Sequence, residues 1–180
     1  MKRPLTTQDV LNLIEVLYDG ENFFEGRSRA SYLNRKQRDI ALFTAYLGTG
    51  CRVSELVNLN INDVDFESSS FIVTRKGGDQ QEIFMPLQVE NEMLKYVEER
   101  LSDENTKDND PLFISRNGKR ILPQTVEKNL KNYCRAAGIT DPDKMHPHAL
   151  RRTFAYSANF GIKLSSLSDS HIAIAAIVAA

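Results

Sequence analysis

The feature that most constrains the fold of this 180-residue chain is one β-hairpin signal set among segments with the period of a helix. Phe66 to Thr74 and Glu82 to Leu87 alternate apolar and polar residues, as half-buried strands do, and Lys76-Gly77-Gly78-Asp79 supplies the turn between them. Before the hairpin, Thr6 and Asp9 have the spacing of a helix start ahead of Val10, Leu11, Leu13, Ile14 and Leu17. A helix over Lys36 to Leu47 is expected to end at Gly48 and Gly50, and Val53, Leu56 and Val57 continue a short one. After it, Gln88 to Leu101 reads as a helix, and Pro123 opens another through Val126, Leu130 and Tyr133 to Gly138. Gly20 to Leu33 has no clear period and is expected to be a loop, as is the charged stretch Ser102 to Asp110. Leu112, Phe113 and Ile114 read as a short strand, followed by a tight turn at Asn117-Gly118. The sum is a mainly α fold with a small antiparallel β-sheet, α+β, with no repeat and no linker to divide residues 1–180 into more than one domain.

The net charge of −1 argues against a uniformly basic nucleic-acid binder, yet the charges are segregated. Arg27, Arg29, Arg35, Lys36 and Arg38 crowd an early segment, and Arg116, Lys119, Arg120, Lys128, Lys131, Arg135, Lys144, Arg151 and Arg152 a later one. Glu90, Glu92, Glu98, Glu99, Asp103, Glu104, Asp108 and Asp110 lie between them, so a basic face with an acidic back is compatible with the near-zero sum. The early basic run reads either as a solvated face or as DNA contacts, with Arg27, Arg29, Arg35 and Lys36 the candidates. Cys51 and Cys134 are isolated and no signal peptide is evident, which points to a reducing, cytoplasmic setting without disulfides. The apolar run Ile172 to Ala180 is too short to span a bilayer, so no membrane role is expected.

Two short stretches carry the chemistry. In Pro147-His148-Ala149-Leu150-Arg151-Arg152-Thr153-Phe154-Ala155, a helix opened by Pro147 places His148 and Arg151 three apart on one face, near the positive end of the helix dipole. That is a favourable place for an anion. In Thr49-Gly50-Cys51-Arg52-Val53-Ser54-Glu55-Leu56, Glu55 stands one turn beyond Arg52 and can either hold its guanidinium or be an ordinary surface acid. Arg152 points about a quarter-turn away from Arg151 and suits a structural or DNA-backbone contact. A metal reading of His146-x-His148 fails because residues two apart diverge on a helix and no Cys or acid cluster completes a ligand set.

Arg52 in its Arg-x-x-Glu-Leu block, Lys76 in the strand turn before Met85-Pro86-Leu87, and His148 with Arg151 resemble the signature positions of the tyrosine recombinase (phage integrase) catalytic domain, in matching order over residues 5 to 167. The resemblance implies that family's mainly α catalytic-domain fold with a three-stranded sheet. It implies site-specific recombination of double-stranded DNA, the integration or excision of a mobile element, by metal-free transesterification through a 3′-phosphotyrosyl intermediate. It also implies four protomers around two duplexes, and residues 1–180 are expected to be the catalytic domain alone, lacking the family's separate N-terminal DNA-clamping domain. Arg52 and Arg151 would hold the phosphate, His148 would assist the nucleophile, and Lys76 would protonate the departing 5′ oxygen. Guanidinium groups suit the task because a planar, permanently charged fork matches two phosphate oxygens. No cofactor is implied.

The C-terminal stretch departs from the family pattern. The expected Leu-Gly-His element and the tyrosine some nine residues later are missing, and by register Val178 stands where the tyrosine belongs. Tyr156, only five residues past Arg151, reads as a packed aromatic, and His171 matches the family's second histidine only in a shifted register. Residues 170–180 are thus atypical: a degenerate recombinase, an engineered form, or a sequence lacking a segment and carrying alanine in place of other side chains. The alternatives to a recombinase are a non-catalytic DNA-binding relic and a type IB topoisomerase-like enzyme, which shares the chemistry.

Overall fold

The computed structural model describes residues 5–106, 110–141 and 144–157. In chain order the elements are α1 (Thr7–Asp19), α2 (Gly26–Leu33), α3 (Lys36–Thr49), α4 (Val53–Val57), β1 (Val64–Asp65), β2 (Ser70–Thr74), β3 (Gln80–Phe84), α5 (Leu87–Ser102), α6 (Pro123–Ala136) and α7 (Pro147–Ser157), with single 3₁₀ turns at Gly20–Asn22 and Ile61–Asp63. The three strands form an antiparallel meander in the order β1-β2-β3, with Phe71 opposite Ile83 and Thr74 opposite Gln80. This is the mainly α, small-sheet architecture expected from the sequence.

Helix α3 is the axis of the core. Every residue from Arg38 to Gly48 is buried, and α1, α5 and α7 pack around it. A helix buried on all sides must be apolar nearly throughout, and the polar exceptions must be paired. Asp39, 1% exposed, is the clearest case. Its carboxylate accepts from Arg35 Nε at 3.0 Å, Arg38 Nη2 at 2.6 Å, Asn129 Nδ2 at 3.2 Å and Tyr133 Oη at 2.7 Å, tying α3 to α6. At α1, Thr6 Oγ1 accepts the Asp9 N–H and Asp9 Oδ2 accepts the Thr6 N–H, the reciprocal cap that the sequence suggested.

Four local expectations need correction. The segment expected as a loop over Gly20 to Leu33 contains α2, which buries only Tyr32 and therefore carries almost no periodic signal. What orders it is long-range: Tyr32 Oη donates to Leu17 O at 2.9 Å and accepts the Gly20 N–H at 3.1 Å. The run expected as one strand from Phe66 divides, because Asp65 Oδ1 accepts the N–H groups of Glu67 and Ser68 and bends the chain ahead of β2. Leu112 to Ile114 forms only isolated bridges, Asn60 with Pro111 and Ile114 with Arg120, although Leu112 and Phe113 are fully buried. Finally, α3 continues through Gly48 to Thr49, and only Gly50, in the left-handed region at φ +61°, ends it.

Candidate active site

The left-handed turn at Gly50 sends Cys51 into the core and delivers Arg52 to the surface in extended conformation, at the start of α4. Glu55 lies at the third position of that helix, where a carboxylate can reach back to the free N–H groups of the first turn. Its Oε2 accepts the Arg52 N–H at 2.7 Å and its Oε1 accepts Arg52 Nη1 at 2.8 Å. The Glu55 side chain is 4% exposed and that of Arg52 50%, so the arginine is anchored at its base while its guanidinium faces outward. Burial alone would raise the Glu55 pKa. The two bonds from Arg52, its charge and the charge of Arg75 outweigh burial and hold the carboxyl below its ordinary range.

Helix α7 supplies the opposite wall. Pro147 opens it, with Lys144 ahead of it paired to Asp9 at 2.6 Å and His146 Nδ1 3.3 Å from Glu127 Oε1. Ala149, Leu150 and Thr153 are buried. Thr153 Oγ1 donates to Ala149 O at 2.8 Å and accepts the Leu5 N–H at 3.0 Å, fastening the helix to the start of the described chain. With that face committed to the core, His148 is exposed and Arg151 half-buried. Burial pushes Tyr46 up to about 12, against the opposing influence of the Arg151 charge and a hydrogen bond from the Val53 N–H. Burial also raises Cys51, whose thiol feels Glu55, Arg75 and Arg151 together. The charged groups of α4, the hairpin and α7 therefore converge on the turn around Cys51.

A cleft of about 430 Å³ opens between these elements, lined by Tyr46, Arg52, Glu127, His146, His148 and Arg152 among others. Arg52 and His148, 96 residues apart in sequence, share it. Arg152, expected about a quarter-turn from Arg151 as a structural or DNA-backbone contact, lines the cleft, whereas Arg151 is not among its lining residues. Sequence reasoning missed Tyr46, Glu127 and Arg75, and weighed His146 only as a metal ligand. His146 and Arg75 were signalled only by adjacency to His148 and Lys76, whereas Tyr46 and Glu127 arrive on α3 and α6 through packing. Lys76 is exposed in the hairpin turn, whose base is closed by Arg75 N–H to Asp79 O at 2.7 Å and Gly78 N–H to Arg75 O at 3.0 Å.

The basic segment divides. Arg27 and Arg29 are exposed on α2, whereas Arg35 is paired with Asp39 and stacked 5.7 Å over Tyr133, and Lys36 is paired with Glu21 at 3.2 Å. A larger cleft of about 740 Å³ runs beside α2 and α5, with Arg27, Arg38, Arg100 and Arg116 in its walls. Arg38 and Arg100 are occupied there with backbone carbonyls, Ile114 O and Pro111 O respectively. No group of three or more His, Cys, Asp or Glu side chains placed to hold a metal ion occurs among the described residues, and none of the described helices is long and apolar enough to cross a membrane. His171, Val178 and the rest of the 170–180 stretch lie outside the described residues, as does the side chain of Tyr156.

Comparison with known proteins identifies the family and the fold. The chain is 35% identical over 160 residues to the tyrosine recombinase XerA of Pyrococcus furiosus, covering 86% of this chain and 47% of that protein. It is 32% identical over 154 residues to the tyrosine recombinase XerS of Lactococcus lactis subsp. cremoris, covering 83% and 41%. It thus spans less than half the length of these relatives. Among solved structures, that of XerA recombinase superposes with a TM-score of 0.71 at 28% identity, over 97% of this chain and 56% of that one. The XerH recombinase bound to a palindromic difH substrate gives 0.67 at 19% identity, over 97% and 49%, a likeness of fold. Residues 28–166 match the phage integrase family, and the chain belongs to it.

Proposed function

We propose that this chain is the phosphate-activating part of a site-specific DNA recombinase, working on double-stranded DNA in the cytoplasm as one protomer of a tetramer that integrates or excises a mobile element. The observation that carries this reading is the shared cleft: Arg52, braced by a buried carboxylate, faces the space that His148 borders, with the Arg151 charge beside its wall. The phosphorus of a DNA strand becomes five-coordinate during attack and gathers charge on its non-bridging oxygens. Fixed guanidinium groups stabilise that state more than the ground state. In the proposed step a tyrosine hydroxyl attacks phosphorus, His148 takes its proton, the P–O5′ bond breaks, and the released oxygen takes a proton from Lys76. The strand is left joined to the tyrosine through its 3′ phosphate.

Tyr46 borders the cleft but is unsuited to attack. It is 2% exposed, and burial holds its hydroxyl protonated to about pH 12. In this reading the nucleophile is a tyrosine outside the described residues. The test uses the full-length natural protein and a randomised pool of nicked duplexes, with trapped covalent protein–DNA adduct as the readout. Adduct should form, and Arg151→Ala should slow it by roughly 10²–10³-fold while weakening DNA binding far less. Binding without adduct would make the protein a DNA-holding relic, and equal losses in binding and cleavage would remove Arg151 from the chemistry.

A further inference from the structure

We infer that Arg75 is a positioning residue that docks the Lys76 hairpin onto the Arg52–Glu55 pair, an assignment that rests on the recombinase reading above. Strand β2 packs against α4, the helix that begins at Arg52, and Arg75 is the first residue after that strand. Its backbone closes the base of the turn through Asp79 and Gly78, so its main chain is fixed while the turn beyond it projects. Consecutive residues then take opposite directions, as they do along a strand. Lys76 stands exposed, whereas Arg75 is half-buried with its Nε sealed from solvent.

The sealed Nε has no hydrogen-bond acceptor among the described residues. The side chain is thus held against the protein rather than free in solvent. The strand that leads into Arg75 packs on α4, which carries the buried Glu55, and the Arg75 charge acts on the Glu55 carboxyl and the Cys51 thiol in the lowering direction. Glu55 already spends its two oxygens on the backbone N–H and guanidinium of Arg52. Arg75 adds a second cation beside the same carboxylate, and that attraction draws the hairpin toward the cleft. Lys76, the next residue, is thereby set at a fixed distance from the phosphate that Arg52 holds. A flexible Gly77-Gly78 turn, with both residues in the left-handed half of backbone space, could not fix Lys76 by itself.

The test compares Arg75→Gln, Arg75→Lys and Lys76→Ala in the full-length protein on a nicked duplex selected from the pool. Each is assayed with an ordinary 5′-oxygen leaving group and with a bridging 5′-sulfur, which departs as a thiolate and needs no proton donor. Arg75→Gln should slow adduct formation roughly tenfold on the oxygen substrate, with the DNA dissociation constant changed less than about threefold. Arg75→Lys, which keeps the charge, should recover most of the rate. The sulfur substrate should restore both Arg75→Gln and Lys76→Ala, since each loses proton delivery. A defect in Arg75→Gln that persists with sulfur, or that is matched by lost DNA affinity, overturns the inference while leaving the recombinase reading intact. If Lys76→Ala is itself not restored by sulfur, proton donation by Lys76 fails first, and the docking role assigned to Arg75 falls with it.

Discussion

Replacing Glu55 by glutamine should test whether a buried anion aims Arg52. The carboxylate accepts two bonds, one from the Arg52 N–H and one from the guanidinium, and its side chain is only 4% exposed. Hydrogen bonds involving a charged group contribute about 1.5–3 kcal/mol each, and neutral ones about 0.5–1.5 kcal/mol. Glutamine keeps one acceptor oxygen and turns an NH₂ toward the other Arg52 donor. Because the Arg52 side chain is half exposed, its guanidinium regains water and part of the loss is screened. The net destabilisation at neutral pH should be about 1–3 kcal/mol by the same hydrogen-bond magnitudes. The sign with pH follows from the lowered pKa: the ionised carboxylate stabilises the fold fully above its unfolded value of 4.5, and this stability is lost as pH falls through the folded value. Urea unfolding of both proteins should therefore show a gap at pH 7 that narrows once the pH drops below about 4.5. In the full-length protein the unanchored guanidinium should slow adduct formation by roughly 10²-fold, since small displacements of a phosphate-binding group cost about that much. Equal stabilities at pH 7, or a gap that stays constant into acid, would refute Glu55 as an ionised anchor.

Two further substitutions probe what holds the site in place. Gly20→Ala puts a Cβ 2.5 Å from Tyr32 Cε2, and the ring cannot retreat because its hydroxyl is bonded to Leu17 O and the Gly20 N–H. Overpacking of this kind costs roughly 1–3 kcal/mol, so the urea midpoint should fall with the slope unchanged, and an unaltered midpoint would mean that α2 yields easily. Asp39→Asn withdraws the charge that faces Arg35 and Arg38 in the core and should cost roughly 3–5 kcal/mol, a Tm drop of about 6–20 °C by calorimetry. A drop of under two degrees would show that Asn129 and Tyr133 carry the network without the charge.

The local chemistry of the site was legible in the sequence because it depends on short spacings. Arg52 and Glu55 stand three apart and are joined by a hydrogen bond, while His148 and Arg151 stand three apart on α7, where the cleft is lined by His148 and Arg152. Strong periodicity likewise specified α1, α5 and α6, since an amphipathic face repeats locally whatever it packs against, while α3, apolar nearly throughout, was bounded by its glycines. Helix α2 was illegible because one buried tyrosine makes no period, and its order comes from bonds to α1. The basic segment could not be divided for a similar reason: a row of positive charges is the same string of letters whether it stands exposed, like Arg27 and Arg29, or faces a buried aspartate, like Arg35 and Arg38.

By itself the sequence determined the inventory, comprising the helices with strong faces, one hairpin and the residues capable of gripping a phosphate. The tertiary structure decided which of them meet. Packing of α7 on α3 buries Ala149, Leu150 and Thr153 and so turns His148 to the cleft that Arg52 borders. Packing of β2 on α4 sets the hairpin that carries Lys76 beside the helix that begins at Arg52, a neighbourhood that no spacing along the chain encodes. Contacts between residues far apart in sequence are set by which apolar faces exclude water together, and that choice is made only once the whole core closes.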